Sequence, residues 1–552
     1  MRLISMIRSI MTSPSTRGHA PGPPDPIRVK ASQDRSYHRY LSITADQITE
    51  SMSGTGSHAL TPLFTPPRRD MGLGRPTPWA DTFVRSTLQR HHDMTSAPSL
   101  LTRFRTPLWQ SLLVGLVLFC CPGMFDAING MGAGGQAASS TSLVAKSNSA
   151  LYACFAIIGF FGGSVNNTIG PRWTLFIGTF GYAVYVGSLW CLDRGGPEAF
   201  VIAGGALCGL SAGLLWTAQG FVVMSYPREH EKSRHFAYQW SMLGVGAAIG
   251  GLIPFAQIMR NGGKSGDKVS TGSYVGFFIV ICVGIVASFF LADPAVVKHK
   301  DGTPVTTTKP MNFRDEFKSV CGLVFDWKIM ALAPACLASN WFYAYQFSMN
   351  AFYFSLRSRT LNSMIYWLTQ VFGTFGISAI LDATALGDRR RRGIIGLAVI
   401  SIFVLATWSG GAAFQSTFSE HNPSPSSDWT DSNWAGPFVL YVLYGMADAM
   451  YQSYCYWLMG AITNDPWTLA RYAGFYKGLQ SAGGALSFGI SAAGVGFMRQ
   501  LIVCFVLQGV SLPLMFVVAK TVSKTNYASG EDAEEKTRME VGEKDAAVIS
   551  VA

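Results

Sequence analysis

Three ionisable residues stand inside long apolar stretches of this chain: Asp448, Lys477 and Asp126. A charge at the centre of a membrane helix is disfavoured by roughly 2.5–3.5 kcal/mol on insertion scales, so such residues mark solute or ion paths unless packing explains them. Asp448 falls in LYGMADAMYQSYCYW, where Tyr441, Tyr444, Asp448, Tyr451 and Cys455 recur at three- and four-residue steps and share a helix face. A polar, aromatic face of this kind suits a cavity wall; an interhelical hydrogen bond is the alternative. Lys477 falls in RYAGFYKGLQSAGGALSF and shares a face with Gln480, Gly484, Ser487 and Ser491. At 1.5 Å per residue, Asp448 lies ~18 Å and Lys477 ~10 Å from the inner ends of their helices, a gap of ~8 Å that is near the reach of a lysine stem. A paired Asp448 and Lys477 could couple proton binding to solute movement, since neutralising one partner leaves the other buried and unpaired. A structural ion pair, or a lysine snorkelling to the inner interface, would use the same residues.

Asp126 ends an apolar stretch in FCCPGMFDAINGMGAGGQ, where Pro122 should kink the helix and the glycines beyond Asn129 should end or unwind it. Unwound backbone at membrane depth is tolerated only where it lines a cavity or is buried in protein. Asp126 is therefore expected to face a solute path from the outer side, or to be a helix-end carboxylate at the interface. Further cavity candidates are Gln219, Gln239, Asn340, Tyr343, Asn350, Tyr366 and Gln370. Many amides and aromatics with few charges suit a neutral or amphipathic solute better than a multiply charged one. Gly130, Gly132 and Gly135 match the dinucleotide pattern G-x-G-x-x-G, but that pattern needs a preceding strand, and here it follows a membrane helix. No Walker lysine, metal-ligand cluster or Ser/His/Asp array is visible, so neither enzyme activity, a cofactor nor a metal is expected. The ten cysteines fall almost entirely in apolar stretches without zinc-type spacing and read as small core residues.

The elements that must position these residues are membrane helices. A bilayer core needs roughly 20 apolar residues per span, and about twelve stretches between Pro107 and Lys520 approach that length. With no water available to backbone groups, each must be helical. The expected spans are 108–128, 148–166, 172–192, 199–224, 236–258, 274–292, 328–350, 361–382, 393–414, 435–460, 470–494 and 499–520. Composition agrees: 49% of residues are hydrophobic and 14% charged, against about 25% charged in a soluble domain. The net charge of +11 sits mainly in loops and tails, so it reads as topology and not as nucleic-acid binding. Gly205, Gly209 and Gly213, and likewise Gly246 and Gly250, repeat every four residues, which lets helix backbones approach closely.

The polar segment 293–327 splits the spans into six plus six. The expected order is a disordered cytosolic tail over 1–103, a six-helix half over 104–292, a central cytosolic loop over 293–327, a second half over 328–522 and a disordered tail over 523–552. The start, MRLISMIRSIM, also has the basic, acid-free character of a mitochondrial presequence, and no cleavable secretory signal is visible. Two halves around a central basic loop make an all-α polytopic membrane protein with the major facilitator layout, whose halves are parallel repeats. Lysine and arginine bias, led by Arg389 to Arg392, puts both termini in the cytosol; loop 259–271, with Arg260, Lys264 and Lys268, votes the other way.

Three stretches carry a resemblance: CCPGMFDAINGMGAGGQ at 120–136, WSMLGVGAAIGGLIPF at 240–255 and RYAGFYKGLQSAGGA at 471–485. Over roughly residues 104–522 the chain resembles the fungal branch of the Unc-ninety-three-like family, ion channel regulatory membrane proteins of the major facilitator superfamily. The superfamily's cytosolic motif resembles GGSVNNTIGPR, from Gly162 to Arg172, and its repeat resembles GISAILDATALGDRRRRG, from Gly376 to Gly393. The resemblance implies that Asp382, with arginines such as Arg389 and Arg390, forms an acid–base latch closing the inner side. In the first copy Asn166 and Asn167 stand where an acid is expected, which weakens a matching latch in that half. Two roles are implied: a secondary transporter of a small, unidentified solute, with possible proton coupling, or a non-transporting partner that escorts or regulates a membrane-protein client such as a channel or receptor.

Overall fold

Proline, aspartate and glycine punctuate the apolar stretches, and the helices begin and end on them. Proline lacks an N–H and suits the first turn of a helix, where that donor would go unused. Aspartate just before a helix accepts one of its orphan N–H groups. A computed structural model describes residues 103–130, 140–260, 270–299, 301–305, 313–422 and 424–526, all within the compact unit Ser96–Ala552. Most of the two expected tails lies outside the described residues, as do Gly132, Gly135, Lys264, Lys268, Lys300 and Lys309.

The helices are α1 (Pro107–Cys120), α2 (Pro122–Gly130), α3 (Thr141–Ile169), α4 (Pro171–Ile177), α5 (Phe180–Asp193), α6 (Glu198–Ser225), α7 (Lys232–Arg260) and α8 (Thr271–Ser288). After a connector holding α9 (Phe313–Gly322) come α10 (Trp327–Ala338), α11 (Phe342–Tyr353), α12 (Leu356–Leu381), α13 (Arg389–Gln415), α14 (Ala435–Ile462), α15 (Pro466–Ala492) and α16 (Phe497–Ala519). The expected kink at Pro122 is a break: α1 ends at Cys120, and Pro122 opens α2. Asp326, Asp388 and Asp465 cap α10, α13 and α15 by accepting N–H bonds from Lys328, Arg391 and Thr468.

Among the described residues, nine helical stretches are long and apolar enough to cross a bilayer, with α1–α2 and α4–α5 each counted as one. A tenth counts if Lys318–Phe325 and Trp327–Tyr353, bent by 89° from one another, are taken as a single span. Helices α14 and α15 are of comparable length, 28 and 27 residues, but fall outside the nine. They are the two that place Asp448, Gln452, Lys477 and Gln480 in their interiors. The expected spans fall on helices, but 108–128, 172–192 and 328–350 each cross a break between two helices, and 274–292 runs four residues past the end of α8.

Two long seams join the first six-span half to the second, α3 against α15 and α7 against α12. At the first seam the backbones nearly touch: a Cβ on Gly474 would lie 2.8 Å from the Gly159 carbonyl oxygen and 2.9 Å from the Gly163 nitrogen. Within the first half, a Cβ on Gly209 of α6 would lie 2.0 Å from the Leu151 carbonyl oxygen of α3, so the glycine repeat in α6 is a packing face. In lipid, where apolar contact alone does not favour association, such close approach supplies the van der Waals attraction. Gly474→Val should therefore destabilise the bundle by about 1–3 kcal/mol through overpacking. Gly489→Ala, where the nearest atom outside the helix is Ser149 Oγ at 3.6 Å, should be near neutral. Thermal unfolding of both variants checks this; equal melting temperatures would rule the seam out as a tight contact.

Candidate functional site: a polar cavity between the halves

Helices α14 and α15 bring the buried charges to mid-bundle. Asp448 and Lys477 are 1% and 2% exposed. They form no direct ion pair. Lys477 Nζ donates to Gln480 Oε1 at 2.7 Å, Gln480 Nε2 donates to Gln452 Oε1 at 2.7 Å, and Gln452 Nε2 donates to Asp448 Oδ1 at 2.6 Å. The expected Asp448–Lys477 pair is thus replaced by a relay of two carboxamides. The other oxygen, Asp448 Oδ2, accepts from Tyr343 (2.7 Å) and Gln370 (3.2 Å), with the Tyr366 hydroxyl 3.5 Å away. The single Tyr366 proton is better placed on Gln346 Oε1 at 2.9 Å, so Tyr343, Gln370 and Gln452 are the three donors that answer a carboxylate, which when ionised can only accept. Gln370 Oε1 in turn accepts from Trp240 Nε1 of α7 at 2.7 Å, so the network crosses from one half to the other.

The Lys477 ammonium lies in an aromatic box. It sits 4.2 Å from the ring centroid of Trp216, 5.4 Å from Tyr476, 5.5 Å from Tyr456 and 5.8 Å from Trp240. Ring faces carry negative charge density and stabilise a cation by about 0.5–2 kcal/mol each, more when water is excluded. Trp216 and Trp240 come from α6 and α7, so a lysine of the second half is held by rings of the first.

A void of about 50 Å³ lies at this meeting point, lined among others by Asp126, Asn340, Tyr343, Gln452, Lys477 and Gln480. Asn340 reaches it from the interruption between α10 and α11, and Tyr343 from the first turn of α11. Asp126 reaches it from α2, which stays helical through Gly130, so this residue belongs to the centre and not to an outer unwound segment. Gln370 stands one layer back, on Asp448. Gln219 is displaced further: it donates to Gln239 at 2.8 Å and accepts from Tyr456 at 3.2 Å. Tyr444 and Tyr451 do not line the void. Tyr451 shares a 2.6 Å hydrogen bond with Ser511 of α16, and Tyr444 packs on Trp408 and Tyr345. Sequence reasoning passed over Gln452, Trp216 and Trp240. Gln452 was findable, being four residues beyond Asp448 on the same face; a lone tryptophan in an apolar stretch gives no such signal.

Contacts between the halves flank the void at both ends. On the side away from the arginines, Ser149 donates to the Ala485 carbonyl at 3.2 Å and Tyr152 stacks on Phe488 with centroids 5.6 Å apart. At the basic end the expected latch is rearranged. Asp382 makes no ion pair with Arg389 or Arg390; its Oδ2 accepts the Arg234 N–H of α7 at 2.9 Å. Arg389 instead pairs with Glu229 at 2.7 Å, both side chains buried. Arg390 donates to the Val522 carbonyl, and Arg172 to the Leu291 carbonyl. Asn167, where the first motif copy lacks an acid, donates to Glu316 of α9 at 3.2 Å. Glu316 is fully buried and also pairs with Arg471 of α15 at 2.6 Å. The connector thus supplies the carboxylate that the motif omits.

Burial works against the Glu229 carboxylate, but the Asn526 N–H, Arg389 and Asn464 outweigh it and hold the group below its ordinary 4.5. A carboxylate held low contributes stability that is present above its unfolded value and lost as pH falls through the folded one. Melting temperature should therefore drop as pH falls below about 4.5, and Glu229→Gln should melt lower at neutral pH with a shallower acid loss. Identical acid profiles for the two proteins would remove this ion pair as the cause. Arg471→Ala should be the more damaging change at this end, because it leaves the buried Glu316 charge uncompensated, at a cost of about 3–5 kcal/mol.

Comparison with known proteins places this geometry. The family model for the ion channel regulatory protein UNC-93 matches residues 145–493. UNC93-like protein 1 of Arabidopsis thaliana is 39% identical over 440 residues, which is 79% of this chain and 95% of that protein. An UNC93-like protein of Schizosaccharomyces pombe is 38% identical over 410 residues, 73% of this chain and 80% of its own length. Among solved structures, the major facilitator superfamily transporter FucP in the outward conformation matches with a TM-score of 0.51 at 14% identity, covering 76% of this chain and 99% of that one. The proton:xylose symporter XylE matches with a TM-score of 0.51 at 12% identity, covering 75% and 94%. At such identities the structural likeness speaks for the fold alone. The chain is an integral, multi-pass membrane protein with the major facilitator fold, and it belongs to the UNC-93 family.

Proposed function

We propose that this protein is a secondary transporter of a small solute, working by alternating access around the cavity between its halves, with the basic end and both termini facing the cytosol. The observation that carries the reading is that Asp126 and Lys477 line one void at the interface of the halves, with Asp448 one layer behind, bonded to the lining residues Gln452 and Tyr343. Packing alone gives no reason to place three ionisable groups there, and their burial is costly. The seams are suited to rocking, because the ends of the bundle are closed by separate sets of bonds. Glu229–Arg389 and Arg234–Asp382 lie on one side, Ser149–Ala485 and Tyr152–Phe488 on the other. Alternating access breaks one set while the other holds. A change of charge at Asp448 would loosen Gln370, and with it the bond to Trp240 that ties the halves at their centre.

A second reading has its own support. The void holds about 50 Å³ and is walled by the protein's own rings, whereas sites for drug-sized ligands occupy roughly 300–1,000 Å³. A bundle that keeps its centre filled suits a regulator or escort of another membrane protein, in line with the family's name.

The two readings separate in one experiment. A solute library is screened by thermal shift against the wild type, Asp448→Asn and Lys477→Met. The transporter reading expects a solute that stabilises the wild type saturably, loses that effect in either folded variant, and is taken up by proteoliposomes. If no solute shifts the wild type, and affinity capture returns one membrane protein at fixed ratio, the regulator reading replaces it.

A further inference from the structure

The charges around the central void do not balance. Asp448 is answered by donors from Tyr343, Gln370 and Gln452. Lys477 is answered by the Gln480 oxygen and the ring faces of Trp216, Tyr456, Tyr476 and Trp240. Asp126 lines the same void, half-buried, and makes no hydrogen bond or ion pair among the described residues. Asp126 and Lys477 line the void and Asp448 stands one layer behind it, so two carboxylates and one ammonium lie in and around the space, and the carboxylate that lines it is the one without a partner. The walls around it favour the same sign of guest. Phe125, Tyr152, Phe155 and Tyr182 line the void beside Asp126, and their π faces attract cations and repel anions. The Tyr182 hydroxyl already accepts from Trp216 Nε1 at 3.0 Å, which fixes that ring. Lys477 itself demonstrates the chemistry: an ammonium rests here against aromatic faces with no carboxylate touching it.

We propose that this void is the recognition site for a small organic monocation, the head of a primary ammonium compound, with Asp126 as its counter-charge and the aromatic walls as its lining. The proposal rests on the transporter reading and narrows the neutral or amphipathic solute expected from the residue types to a singly charged one. A void of about 50 Å³ matches an ammonium head with one or two carbons and excludes a sugar ring unless the halves move apart. A neutral molecule of the same size would leave the Asp126 charge uncompensated; an anion would meet that charge and the ring faces, with Lys477 already engaged by Gln480 and its box of rings.

The test uses the full-length protein in lipid nanodiscs at fixed pH and ionic strength. Methylammonium and ethylammonium chloride are compared with ethanol, potassium chloride and sodium acetate, by thermal shift and titration calorimetry. The expected result is saturable stabilisation by the two ammonium salts alone, weakened at least ~10-fold in Asp126→Asn and largely kept in Asp126→Glu. Asp126→Asn removes no hydrogen bond seen among the described residues and takes away an uncompensated charge, so its unliganded melting temperature should be no lower than the wild type's and show that it folds. Equal stabilisation by ethanol or potassium, an undiminished ammonium effect in Asp126→Asn, or no ammonium effect at all would each overturn the proposal. Uptake by proteoliposomes separates it from the reading beneath it. Ammonium binding without uptake would defeat the transporter and leave the cation site. Uptake of another solute class, unchanged by Asp126→Asn, would defeat the cation site and leave the transporter.

Discussion

The bilayer interior offers no water, and every other feature of this protein follows from that. A polar group placed there must find its partner inside the protein. Asp448 finds three donors, Lys477 one amide and a box of rings, and the two are joined through Gln452 and Gln480. These partners come from α7, α11, α12, α14 and α15, with Trp216 added from α6, so satisfying two charges ties most of the inner helices to one another. The same constraint explains why α14 and α15 are the least lipid-suited of the long helices and why they lie deep in the bundle: α14 is buried almost without interruption from Tyr441 to Ala461.

The middle of the bundle and its basic end are held by different means. Near the middle of the α3–α15 seam, glycines bring backbone against backbone, a contact that is non-directional and tolerates small rotations. At the basic end the contacts are directional and charged: Glu229 on Arg389, Glu316 on Arg471, Lys232 donating to the Gly460 carbonyl at 2.9 Å. The connector is therefore part of the closure, since its helix α9 reaches α3 and α15 together through a single carboxylate. A segment that looks in the sequence like a tether between two halves acts as a clasp across them.

Much of the fold was legible in the sequence because hydrocarbon thickness imposes a length. The span expected at 199–224 is the helix Glu198–Ser225, and that expected at 435–460 is Ala435–Ile462. Hydropathy also singled out Asp126, Asp448 and Lys477, all of which reach the centre. It could not say which neighbour each polar face meets. Tyr451 is only ~60° round the helix from Asp448, yet that arc carries it from the cavity network to Ser511 of α16. The latch at the basic end was misread for a related reason. Arg389 and Asp382 are close in sequence, but the groups that answer them, Glu229 and the Arg234 N–H, lie on the other half and become visible only once α7 is packed on α12. Glu316 was hidden because a charged residue in a polar connector reads as solvated.

The relay between Asp448 and Lys477 has a direction. A lysine ammonium only donates and a carboxylate only accepts, so both carboxamides between them must point their oxygens toward Lys477 and their NH2 groups toward Asp448. Suppose Asp448 Oδ1 gained a proton and became a donor. Gln452 would have to turn its oxygen to meet it, its NH2 would then face Gln480, and Gln480 would have to turn as well. The end of that sequence sets an NH2 group against the Lys477 ammonium, donor against donor. A protonation at Asp448 would thus cost Lys477 its one hydrogen bond and leave it to the ring faces, without any proton travelling the distance between them.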